Sequence, residues 1–124
     1  MTPPGWDKYL RWREQFVSLL DPDLYPAAWL DSQVWSGQFQ LFSDEKSAIL
    51  ASVKRYPTGL LELHGQAAVG ELNSLLESTI PSCENWGRSI GCSRVVIESR
   101  RGWAKVMKKF GYEEHQVHIR KEFS

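Results

Sequence analysis

Long apolar runs are missing from this chain, cysteine and histidine are scarce, and net charge is absent. No apolar stretch approaches the ~20 residues that a membrane-spanning helix needs, so a bilayer location is not expected. No cationic start leads into an apolar run, so the sequence reads without a signal peptide and an intracellular location is expected. The 2 cysteines, Cys83 and Cys92, are too few for a disulfide framework and fit no zinc spacing, and read as small core residues in a reducing compartment. Of the 3 histidines, His115 and His118 fall on one expected strand and point to opposite faces, so they cannot share an ion, and no metal site is expected. A nucleophile elbow, a Walker loop, His-Glu-x-x-His and Cys-x-x-Cys are all missing. Without repeats, low-complexity stretches or linkers, the 124 residues read as one domain, an N-terminal helix over residues 1–22 preceding a core over 23–124.

What is present is unevenly placed. Residues 1–87 carry 6 Lys/Arg against 11 Asp/Glu, and residues 88–124 carry 9 against 4. Within one domain such halves are expected to attract each other across the fold. The 6 tryptophans are many for this length, and core packing is the expected use of most. Trp12, off the main apolar stripe of its helix, reads either as part of a wide buried face or as a partner-facing aromatic.

Apolar periodicity orders the elements. Trp6, Tyr9, Leu10, Phe16, Val17 and Leu20 recur at helical spacing up to Asp21-Pro22, and Ala27 to Trp35 reads as a shorter helix stopped by Ser36-Gly37. Phe39 and Leu41 alternate with glutamines, a polar turn follows, and Ala48 to Tyr56 completes an expected hairpin. Gly59 to His64 is the next expected strand. A stripe from Leu72 through Cys83 to Ile90 then keeps its phase through Pro81, which predicts one helix kinked at the proline. Gly91 is placed to cap it, Arg94 to Ser99 reads as a strand, and Trp103, Val106, Met107 and Phe110 mark a last helix. A closing strand is expected over Glu113–Phe123. The class is α/β (α+β): N-terminal helices, a hairpin, then β-α-β-α-β, forming a mixed sheet with helices on both faces.

Two places favour anions. Gly65, Gln66, Ala67, Ala68, Val69 and Gly70 read as a small-residue turn from strand to helix, where unpaired amides either hold a phosphate or merely turn. Ser99-Arg100-Arg101-Gly102 sets two guanidinium groups at the next helix start, either for a phosphate or nucleic-acid contact or for pairing with the acidic N-terminal half. Glu62, on the same strand face as His64, is the candidate general base, against the plainer reading of a solvated strand carboxylate.

Trp86-Gly87-x-x-x-Gly91-Cys92, Glu98-Ser99-Arg100-Arg101-Gly102-Trp103 and Phe110-Gly111-Tyr112, ahead of Lys121-Glu122-Phe123, resemble the Gcn5-related N-acetyltransferases, nearest a small divergent branch encoded by tailed bacteriophages and prophages. The resemblance spans residues 27–123. It implies acetyl-CoA between two splayed parallel strands, here Gly59–His64 and Arg94–Ser99, with its diphosphate on an Arg/Gln-x-x-Gly-x-Gly/Ala turn. This sequence offers Gly65-x-x-Ala68-x-Gly70 or Gln66-x-x-Val69-x-Glu71 there, and neither copy is intact. The family's Asn-x-x-Ala-x-x-x-Tyr pattern meets Arg100, Trp103 and Met107, so Met107 stands where a tyrosine would protonate the departing thiolate, which is left to water.

Three readings follow from that resemblance and the residues. The one favoured is a non-catalytic phage or prophage protein in the host cytoplasm or virion, acting in virion assembly or on a host protein. The second is an atypical acetyl-CoA-dependent N-acetyltransferase using Glu62 and the Ala68–Gly70 amides. A nucleic-acid accessory using Arg100, Arg101, Lys105, Lys108 and Lys109 beside Trp103 has the least support, because these cations alternate with core positions.

Overall fold

A computed structural model of the chain describes residues 2–98, 101–116 and 119–123. Two helices come first, α1 (Trp6–Leu19) and α2 (Ala27–Trp35), and a hairpin follows, β1 (Gln40–Ser43) and β2 (Ser47–Arg55). Next come β3 (Leu61–Gly70), a helical run, β4 (Cys92–Ile97) and α5 (Arg101–Met107) with a 3-10 turn at Lys108–Phe110. The sheet order is β1-β2-β3-β4, antiparallel except for the parallel pair of β3 and β4.

The alternation of β2 decides the layering. Ile49 and Ala51 point to one face, where they meet Leu63, Leu75, Leu76, Ile80, Cys83 and Met107. Ala48 and Leu50 point to the other, against Tyr9, Trp12, Phe16 and Leu30. Both faces of the central strand are therefore buried, which is why its apolar run is unbroken. Trp12 lies inside this second cluster, not on the surface.

Helices α1 and α2 are joined by Asp31. It accepts the Tyr9 hydroxyl at 2.7 Å and a two-pronged contact from Arg13 Nε and Nη2 at 2.7 and 2.9 Å. Tyr9 is fully buried, and burial together with this carboxylate pushes its hydroxyl far above the ordinary range. Asp31→Ala leaves that hydroxyl without a partner, and a loss of roughly 2 kcal/mol is expected in a urea melt. A loss below a few tenths would mean that water replaces the carboxylate.

The long helical stripe is one run with a change of pitch. It starts as α3 (Leu72–Ser74), widens to a π-turn over Leu75–Thr79 and continues as α4 (Ile80–Ser89). Pro81 sits in the first turn of α4, where its missing N–H and its ring are accommodated by the wider turn before it.

Two expectations are corrected. Gly65–Gly70 is not a turn but the second half of β3, paired with β2 from Ser47↔Gly70 to Ala51↔Gly65, with a bulge that skips Gln66. Gly65 fits closely there, because a Cβ would come 3.1 Å from Ile97 Cγ1, which would have to shift by a few tenths of an ångström. Nor is there a closing strand at Glu113–Phe123 among the described residues, where Ile119 is 93 % and Phe123 92 % exposed. Val117 and His118 lie outside the described residues. No helix among the described residues is long and apolar enough to cross a membrane.

Candidate functional site

Strand β3 outlasts β4. Their pairing begins at Leu61↔Cys92 and ends at Gly65↔Ile97, while β3 runs on to Gly70 with β2 alone beside it. The edge of β3 from Gln66 to Gly70 therefore has no strand on it among the described residues. Amides on such an edge bind an extended chain as a further strand would.

Along the paired part of the two strands, on the face opposite α4, lies a polar cluster. The Glu62 carboxylate is 4 % exposed. Its Oε1 accepts the Tyr56 hydroxyl at 2.7 Å and His64 Nε2 at 2.5 Å, and its Oε2 accepts Arg94 Nε at 2.5 Å. Strand register sets the cluster, since Glu62 is paired with Arg94 on β4 and with Lys54 on β2. The Tyr56 ring lies between two cations, Lys54 Nζ 4.9 Å and the Arg94 guanidinium 5.8 Å from its centre. Burial alone would raise the Glu62 pKa, but the Tyr56 hydroxyl, Arg94 and His64 outweigh it and hold the carboxyl at about 2. Among the ion pairs of the described residues, Arg94–Glu62 is the one that joins the acidic and basic halves of the sequence.

The far end of β3 is where the helical run starts. Asp44, in the β1–β2 turn, accepts the Lys46 and Ser47 amides at 2.7 and 2.8 Å and the Ser74 hydroxyl at 2.6 Å. Ser74 and these amides keep its carboxyl well below the ordinary range. Ser47 Oγ lies 2.7 Å from Ser74 Oγ and 3.2 Å from Thr79 Oγ1, and the Glu71 amide donates to the Lys46 carbonyl at 2.9 Å. The start of the helix already has a carboxylate on its first hydroxyl.

Other candidates resolve more simply. Met107 is buried beside Leu63 and Cys83 and has no proton to give. Tyr112, the nearest tyrosine in sequence, donates its hydroxyl to Glu84, and burial together with that carboxylate raises its pKa far out of range for an acid. Burial pushes the Cys83 thiol up to about 12, so no thiolate forms. Lys105, Lys108 and Lys109 are exposed. Ser99 and Arg100 lie outside the described residues, as does the side chain of Arg101. No group of three His, Cys, Asp or Glu suited to a metal ion occurs among the described residues. Two hollows, about 120 Å³ between α4 and the start of β4 and about 290 Å³ between α1 and the β1–β2 turn, both miss the Glu62–His64 face.

Sequence reading found Glu62 and noted His64 beside it, but missed Tyr56, Arg94 and Asp44. Arg94 and Tyr56 reach Glu62 across strands, so only register reveals them.

No protein-family profile matches the sequence, and no curated protein matches it. Solved structures do. Glucosamine-6-phosphate N-acetyltransferase from Arabidopsis thaliana superposes with a TM-score of 0.68 at 12% identity, over 100% of this chain and 97% of its own. An aminoglycoside N-acetyltransferase, AAC(6')-Iy in complex with CoA, gives 0.66 at 16% identity, over 99% and 91%. A predicted acetyltransferase with acetyl-CoA from Clostridium acetobutylicum gives 0.65 at 11% identity, over 95% and 90%. At these identities the likeness is one of fold, and the chain has the Gcn5-related N-acetyltransferase-like fold: a mixed sheet with helices on both faces and one parallel pair, β3 with β4.

Proposed function

We propose that the protein binds acetyl-CoA along the edge of β3 beyond the end of β4 and transfers the acetyl group to an amine. The observation that carries this reading is the edge of β3 beyond Gly65↔Ile97, which has no strand on it among the described residues, with His64 of the Glu62–His64 pair one position before it. The pantetheine arm is an extended chain with two amides, and it fits the Gln66–Gly70 edge as an added strand. The cofactor supplies an activated acetyl thioester, and the chain supplies the edge, the polar cluster and a cationic rim of Lys54 and Arg94. The diphosphate end fits less well, because Asp44 already lies on Ser74 at the helix start. The expected hold on the cofactor is therefore weak and comes mostly from the arm.

Calorimetric titration with acetyl-CoA, paired with thermal denaturation, tests this reading. Cofactor at 100 times its dissociation constant stabilises a fold by about 2.7 kcal/mol, which moves the melting temperature by several degrees. No heat and no shift at millimolar acetyl-CoA would end the proposal.

That result would favour the second reading, a phage or prophage protein that keeps the scaffold without the chemistry and binds a host or virion protein. Met107 in the core and Asp44 at the helix start support it, since each occupies a place that the family uses for cofactor chemistry.

A further inference from the structure

We propose that His64 is the proton acceptor of this site and that Glu62 is its positioning residue, the reverse of what the sequence places there. The inference rests on the acetyl-transfer reading above for the identity of the reaction, but its geometry is independent of the cofactor.

Glu62 is badly placed to accept a proton. Its two oxygens already take three donors, and almost none of its surface is open to a substrate. An ionised carboxylate can only accept hydrogen bonds, so the His64 nitrogen 2.5 Å from Oε1 is the one that carries hydrogen. That fixes the neutral imidazole as the Nε2–H tautomer and leaves the Nδ1 lone pair without a partner among the described residues. A carboxylate behind an imidazole also stabilises the imidazolium that forms when Nδ1 takes a proton, which is the logic of hydrolytic triads. The side chain of His64 is 23 % exposed, against 4 % for Glu62.

The position agrees with the geometry. His64 is opposite Val96, one pair before the last contact of β3 with β4, so it stands just before the stretch of β3 that runs past β4. Tyr56 from the end of β2 and Arg94 from β4 hold Glu62 from the remaining sides, with Lys54 of β2 opposite it. In the reaction the amine nitrogen bonds to the acetyl carbonyl carbon and the carbon–sulfur bond breaks. The amine's proton passes to Nδ1, and the thiolate recovers a proton through water, because Met107 offers none.

The test needs neither the natural acceptor nor the cofactor. p-Nitrophenyl acetate serves as the probe: water attacks its carbonyl, p-nitrophenolate leaves and the imidazole takes the water's proton. The full chain is expected to hydrolyse it faster than buffer, His64→Gln to lose at least about tenfold of that excess, and His115→Gln to retain it. Long-range proton–nitrogen NMR at pH 8 should find the Nε2–H tautomer in the wild type and a mixture in Glu62→Gln, with circular dichroism showing that each variant is folded. A wild-type rate no higher than buffer, equal rates for wild type and His64→Gln, or an Nδ1–H tautomer in the wild type would overturn the assignment. Acetyl-CoA calorimetry on the same samples separates the two ideas: probe hydrolysis that depends on His64 without acetyl-CoA binding sinks the cofactor reading alone, and binding with no dependence on His64 sinks this one.

Discussion

Gly70→Val is expected to lose roughly 3–5 kcal/mol of stability, enough to leave a domain of this size largely unfolded. Gly70 has φ +104°, a backbone region that disfavours side chains. A Cβ there would fall on the Lys46 carbonyl oxygen and 2.6 Å from Ser47 Cα. Both are backbone atoms of the β1–β2 turn, tied down by the pair Ser47↔Gly70 and by the Glu71 amide on the same carbonyl. Neither can retreat without parting β2 from β3. Gly91→Ala is the matched control: its φ is +95°, but the nearest atom to a new Cβ is Leu61 Cδ1 at 3.9 Å. It meets only the backbone term of about 1 kcal/mol. Urea melts of the two variants should therefore differ by 2 kcal/mol or more. Equal losses would show that the turn yields. For the same reason a substitution at Gly70 that abolishes acetyl-CoA binding reports on the fold and not on a diphosphate contact.

Elements with punctuation at both ends were legible. Helix α2 was read over its full span because Pro26 precedes it and Ser36-Gly37 follows, and the β1–β2 hairpin because polar residues separate an apolar alternation from a run rich in Ile, Leu and Val. The failures share a cause in tertiary pairing. The small residues Gly65, Ala67, Ala68 and Gly70 have the composition of a turn, yet they continue β3 because β2 supplies a nine-residue partner and Ile49 and Ile97 fill the space above Gly65. At the C-terminus the alternation was real but thin. Glu113-Glu114-His115-Gln116 precedes it, and of its apolar residues Ile119 and Phe123 are exposed while Val117 lies outside the described residues.

The site was legible in half. Glu62 drew notice as a carboxylate in an apolar strand, and His64 two residues on shares its face whatever the fold. What these groups do was not legible, because it depends on Arg94 and Tyr56, 32 and 6 residues away in sequence. Register converts Glu62 from a candidate base into a buried anion that three donors hold in place. Asp44 was read as part of a solvated turn, and the packing of that turn on Ser74 is what puts its charge at the helix start.

Removing the Glu62 carboxylate is the second large effect expected. Glu62→Ala strands the buried part of Tyr56, His64 and Arg94 without an acceptor, at a cost of about 3 kcal/mol at pH 7. Arg94 limits the loss, since its side chain is 53 % exposed and can rehydrate. Tyr56→Phe, which removes one donor and leaves the anion paired with Arg94, should cost about 1 kcal/mol. The sign of the pH dependence follows from the direction of the shift. Glu62 titrates at about 2 in the folded protein against an ordinary 4.5, so its contribution is complete above the higher value and is lost as pH falls from 4.5 towards 2. Asp44, whose carboxyl is also held low, adds an acid-sensitive term of its own to the wild type and the variants alike. The difference in melting temperature between wild type and Glu62→Gln therefore isolates Glu62. It should be large above pH 4.5, shrink as pH falls below that value and approach zero near pH 2. A difference that stays constant down to pH 3 would mean that the carboxyl is not the ionised centre of this cluster, and that Tyr56 and Arg94 are held by packing.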